Sequence, residues 1–144
     1  MVTNQAIEGS FQLIGGNFEN AGNASIHLKQ KLTELGIKED VVRRASIITF
    51  EAEINVIIYA AAGWLRYYIM PQYIKIIVED MGPGIEDIAL AMQEGYSTAP
   101  EWIREMGWGA GMGLPNMKKN SDEFKIDSVV GEGTTVEMVI NLTS

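Results

Sequence analysis

From Val41 to about Ala62 the sequence is apolar on most of the circumference of a helix, with Asp40 placed to cap its start and Gly63 to stop it. A helix of that kind needs cover on several sides, so the rest of the chain has to wrap it. The same span carries Glu51, Glu53 and Asn55 in its middle. A buried carboxylate costs several kcal/mol unless it is paired, so polar groups at that depth need a reason. A length of 144 residues limits the wrapping to one ordinary domain with one core.

The flanking segments supply the cover. Ile7 to Ile14 reads as a strand closed by Gly15-Gly16-Asn17, and Asn23 to Leu35 as an amphipathic helix with Gly36 as its C′ residue. Trp64 to Met70 and Tyr73 to Glu79 read as a hairpin about Pro71-Gln72. Ile85 to Gln93 reads as a short helix. Gly95 to Gly113, with five glycines, a proline and two tryptophans, reads as a functional loop or lid. Leu114 to Asn120 opens a further helix with Pro115 in its first turn. Glu123 to Val129 and Thr134 to Leu142 form a second hairpin about Gly131-Glu132-Gly133. Hairpins mixed with helices predict an α+β fold: a two-layer α/β sandwich whose mixed, mostly antiparallel sheet carries helices on one face.

Nineteen acidic against eleven basic residues give a net charge of -8, which argues against non-specific nucleic-acid binding but not against a phosphate ligand held by backbone amides. With no cysteine there is no disulfide framework, thiol nucleophile or thiolate metal site, and a reducing, cytoplasmic setting fits. A single histidine, His27, excludes a multi-histidine metal centre within one chain; it lies on a helix stripe and reads as a packing residue. No stretch reaches the ~18 apolar residues of a membrane span, and the first residues have neither the basic start nor the apolar core of a secretory leader.

Four short motifs carry chemistry. Glu51 and Asn55, four apart, share one helix face, while Glu53 lies roughly 200° around the axis. A carboxylate and an amide oxygen on one face can hold a hard cation and activate a hydroxyl; the alternative is a solvated edge or a pair with Arg43, Arg44 or Arg66. Asp80-Met81-Gly82-Pro83-Gly84-Ile85 puts a carboxylate at a strand end beside approachable backbone, suited to accept from an amino group such as that of adenine, or simply forming a tight turn. Gly107-Trp108-Gly109-Ala110-Gly111-Met112-Gly113-Leu114 leads into a helix, where N–H groups can meet a phosphate, or is a flexible loop. It matches neither the dinucleotide fingerprint nor the P-loop. Gly131-Glu132-Gly133-Thr134 alone reads as a hairpin turn.

In this order the motifs resemble the Bergerat ATP-binding fold of the GHKL superfamily, over nearly the whole chain from Ile7 to Leu142. Glu79 to Ile88 followed by Gly95-Tyr96-Ser97-Thr98, and Gly111 to Lys118 followed by Ser121-Asp122-Glu123-Phe124, look most like small bacterial anti-sigma-factor serine/threonine kinases, in particular the switch-kinase branch of stress-signalling partner-switching modules. The resemblance implies one histidine-kinase-like ATPase domain over residues 1–144, with an ATP lid at about 95–113. It implies Glu51 as general base and Asn55 as ligand to Mg2+ together with the ATP phosphates. Asp80 would accept the adenine amino group, supported by Thr134 through water; Gly82, Gly84 and Ile85 would flank the purine. Gly109, Gly111, Met112, Gly113 and Leu114 would offer phosphate-binding amides. Tyr59, on the catalytic helix, and Ser97, Thr98 and Arg104, in the lid, are further nucleotide-binding candidates.

The function so implied is transfer of the γ-phosphate of ATP to a serine or threonine of a STAS-domain antagonist protein. A sigma factor or a phosphatase would be an exchange partner. The rival is an ATP-binding module that sequesters or activates its partner without phosphotransfer; a simple ATPase or a detached histidine-kinase domain is a third reading. The strand Trp64 to Met70 is a candidate homodimer contact, or has one core and one surface face. The segment Ala99 to Met106 makes the lid longer than the branch pattern, and Trp102 and Trp108 would cover the nucleotide, dock a partner or anchor the lid.

Overall fold

The computed structural model describes residues 6–99, 101–105 and 112–142. In chain order the elements are β1 (Ile7–Ile14), a 3₁₀ turn (Phe18–Asn20), α1 (Asn23–Glu34), α2 (Glu39–Tyr59), β2 (Ala62–Ile69), β3 (Tyr73–Asp80), α3 (Ile88–Ala91), α4 (Glu101–Glu105), α5 (Gly113–Asn120), β4 (Glu123–Val129) and β5 (Gly133–Asn141). Among the described residues five strands form one sheet in the order β1-β2-β3-β5-β4, and every neighbouring pair is antiparallel. Helices α1 and α5 each pack on α2, and α2 also lies against β1, β2, β3 and β5. This is the predicted two-layer arrangement.

Strand alternation builds the core. Leu65, Tyr67 and Ile69 of β2, Ile74, Ile76 and Val78 of β3, and Val136, Met138 and Ile140 of β5 are buried against Ala45, Ile48, Ala52 and Val56 of α2, Leu28 and Leu32 of α1, and Met117 of α5. The opposite sheet face carries Trp64, with Arg66 6.0 Å above its ring, and an ion pair of Lys75 with Glu137 at 3.9 Å. The β2 strand thus has one core and one surface face. His27 is exposed and lies edge-on to Phe11 at 5.2 Å and 3.3 Å from the Tyr67 hydroxyl.

Helix α1 ends as its sequence predicts. Gly36, at φ +75°, donates to the Thr33 carbonyl while Ile37 donates to that of Leu32, a Schellman closure that needs the left-handed residue. Helix α2 departs from expectation at both ends. Lys38, not Asp40, is the N-cap; Glu39 and Asp40 occupy the first turn, where the helix dipole favours them, and Asp40 pairs with Arg43. The helix stops at Tyr59, before Ala60, because Ala62 and Gly63 pair with Ile14 and Leu13 of β1. Tertiary pairing overrides the helical preference of the alanine run. The expected helix over Ile85–Gln93 contracts to α3, capped by the Asp87 carboxylate accepting the Leu90 N–H at 3.0 Å. The expected lid contains the short helix α4, where Ile103 is buried and Trp102 meets Phe18 edge-to-face at 5.9 Å.

Candidate functional site

A cavity of about 670 Å3 opens between α2, the ends of β3 and β5, and the segment entering α5. Its apolar wall includes Ala52, Val56, Val78, Met117 and Val136, a surface suited to a flat ring. Glu51, Asn55 and Tyr59 enter from α2, one turn apart, so the spacing read in the sequence delivers all three to one side. Asp80, Gly82, Gly84 and Ile85 line the end of β3. Met112, Gly113 and Leu114 come from the start of α5, Ser97 and Thr98 from the segment before α4, and Thr134 from β5. Gly109 and Gly111 lie outside the described residues, as does Trp108. Arg104 falls within α4.

The Asp80 corner is held by backbone donors. Its Oδ1 accepts the N–H of Gly82 at 2.9 Å and that of Thr134 at 3.2 Å. Thr134 therefore supports Asp80 directly, through its main chain. Its hydroxyl lies 2.8 Å from that of Ser128, which also accepts the Ile85 N–H at 2.7 Å. Ser128 thus ties the turn after Asp80 to β5, a role the motif reading did not identify; its signal was the tight hairpin, which sets Ser128 opposite Thr134. Gly84, at φ +80°, has a packing reason of its own: a Cβ there would meet the carbonyl of Val129 at 2.5 Å.

At the other end, Glu51 and Asn55 both face α5. Glu51 Oε2 accepts from the Asn116 side-chain amide at 2.7 Å, and a Cβ on Gly113 would sit 3.0 Å from Asn55 Oδ1. The hydroxyls of Tyr59 and Ser97 are 3.4 Å apart, and Ser97 also accepts the Ala99 N–H. Glu53 is outside this cavity. It is 2% exposed, and its Oε2 accepts the Ala24 N–H at 3.3 Å in the first turn of α1, whose N-cap is the side-chain-free Gly22. Burial pushes its carboxyl above the usual carboxylate range, against the lowering effect of backbone N–H groups of Ala24, Gly22 and Ser25.

The charges constrain what the cavity can hold. Glu51, Asp80, Glu86 and Asp87 line the cavity, and no lysine or arginine does among the described residues. A polyphosphate bound here needs a cation and the backbone amides of α5's N-terminus. No group of three His, Asp or Glu side chains suited to a metal occurs among the described residues, so a divalent ion would have to share its coordination between Asn55 and a ligand's phosphates. No helix among the described residues is long and apolar enough to cross a membrane.

No family model matches the chain. It is 38% identical over 112 residues to serine/threonine-protein kinase RsbT of Bacillus subtilis, covering 74% of this chain and 77% of that protein. It is 29% identical over 131 residues to the anti-sigma F factor of Anoxybacillus flavithermus, covering 87% and 86%, and 26% identical over 133 residues to that of Priestia megaterium, covering 88% and 87%. The chain accordingly belongs to the anti-sigma factor serine/threonine-protein kinase family.

Proposed function

We propose that this kinase transfers the γ-phosphate of Mg-ATP to a serine or threonine of a STAS-domain antagonist protein, and that phosphorylation exchanges one protein complex for another with a sigma factor or a phosphatase. In this reading the chain is a single histidine-kinase-like ATPase domain of GHKL type working in the cytoplasm, with residues 95–113 as its lid. The observation that carries the reading is the cavity itself, into which Glu51 and Asn55 of α2 open together with Asp80.

The roles follow from chemistry. Asp80 Oδ2 accepts the exocyclic amino group of adenine while the apolar wall takes the ring. Backbone N–H groups at the start of α5 and in the adjoining glycine segment bind phosphate oxygens. Mg2+, held by Asn55 and the phosphates, supplies charge neutralisation in an acid-lined site. The acceptor hydroxyl oxygen forms a bond to the γ-phosphorus as the bond to the β,γ-bridging oxygen breaks. The hydroxyl proton passes to Glu51, and ADP leaves.

The test is Glu51→Ala with γ-labelled ATP and a purified STAS-domain protein. Transfer is expected to fall by about 10²-fold or more while ATP affinity holds. Wild-type transfer by the variant, or no labelled Ser/Thr product from the wild type, would sink the proposal.

A further inference from the structure

Asn116 lies sixty-five residues from Glu51 in sequence, yet its side-chain nitrogen is 2.7 Å from Glu51 Oε2. An ionised carboxylate only accepts, so the Asn116 amide turns its NH2 group toward it. Asn116 is itself fixed. Its N–H donates to the Met112 carbonyl, its own carbonyl accepts from the Asn120 side chain at 2.9 Å, and Leu114 and Met117 on either side anchor α5 in the core. Glu51, by contrast, is a three-torsion side chain at the edge of an open cavity, and among the described residues no other hydrogen bond orients it.

We propose that Asn116 is a positioning residue for phosphotransfer: it holds Glu51 by Oε2 and leaves Oε1 to take the proton of the incoming hydroxyl. This rests on the proposed base role of Glu51. A bond to one carboxylate oxygen fixes the plane of the group, and a base loses rate steeply when it strays from hydrogen-bond reach of its proton. The same bond couples the base to α5, whose first turn faces the phosphates, so base and phosphate-binding backbone keep one geometry.

The experiment measures kcat, ATP affinity and thermal midpoint for Asn116→Leu, Glu51→Gln and the double variant, under single turnover with γ-labelled ATP and the STAS-domain acceptor. Asn116→Leu is expected to lower kcat by about tenfold or more with ATP affinity within about twofold, and to add no further loss in the Glu51→Gln background. Asn116→Asp, equal in size but without the donor, is expected to lose as much; it serves where the leucine variant misfolds. A kcat for either variant at or above wild type would overturn the proposal, as would an equal loss on top of Glu51→Gln, which marks a mere clasp between helices. Wild-type transfer by Glu51→Gln alone would instead remove the base role on which the proposal stands.

Discussion

Asp80 and Thr134, fifty-four residues apart, are joined by a 3.2 Å hydrogen bond from the Thr134 main chain to Asp80 Oδ1. The Gly82 N–H uses the same oxygen. One carboxylate oxygen is thus committed to the fold, and Oδ2 is left to a ligand donor. Asp80→Asn keeps an oxygen for both backbone donors but turns an NH2 group toward the place proposed for the adenine amino group. Donor then faces donor, and a charge-assisted bond is lost. The fold is expected to persist while ATP affinity falls by about tenfold or more. Calorimetric titration with Mg-ATP checks this; an unchanged dissociation constant would mean that Asp80 does not read the base.

Ser128 couples that corner to β5 through Ile85 and Thr134. Ser128→Ala leaves the Ile85 N–H without its acceptor and frees the Thr134 hydroxyl. We expect a loss of about 1 kcal/mol in urea unfolding together with weaker ATP binding. Full stability with full affinity would show the Ser128 bonds to be incidental.

Local signals made most of the fold legible. The turns at Gly15-Gly16-Asn17, Pro71-Gln72 and Gly131-Glu132-Gly133 bounded β1 to β5 to within two residues, and Gly36 marked the end of α1. The C-terminal end of α2 was not legible, because Ala62 and Gly63 are strand by virtue of their neighbours, β1 beside both and Asp80 of β3 beside Gly63. The i, i+4 spacing of Glu51 and Asn55, and the carboxylate at the end of β3, could be read directly. Asn116 could not: its bond to Glu51 exists only because α5 packs on α2. Glu53 could be assigned to another face of α2, but the partner there, the start of α1, emerges only in three dimensions.

The environment of Glu53 predicts a pH effect. Burial raises its pKa in the folded protein above the ordinary 4.5, so the folded state binds more protons than the unfolded state just above that value. The stability linked to this proton is fully present below pH 4.5 and is lost as pH rises through the folded pKa. Glu53→Gln, neutral throughout, escapes that loss. Thermal midpoints of the two proteins should therefore diverge from pH 4.5 upward, in favour of glutamine. A gap that stays constant, or that widens in favour of wild type, contradicts the assignment.

Gly113 separates the stability of α5 from its function. It opens the helix at a φ that other residues adopt, so Gly113→Ala should leave stability unchanged or raise it by up to about 1 kcal/mol. The added Cβ, however, would arrive 3.0 Å from Asn55 Oδ1, closer than side chains normally pack. Asn55 must yield, and with it the proposed ligand to Mg2+. The expected result is a protein at least as stable as wild type that needs several-fold more Mg2+ for half-maximal phosphotransfer. Titrating Mg2+ at fixed ATP reads this directly; an unaltered midpoint in the stable variant would remove Asn55 from the proposed metal site.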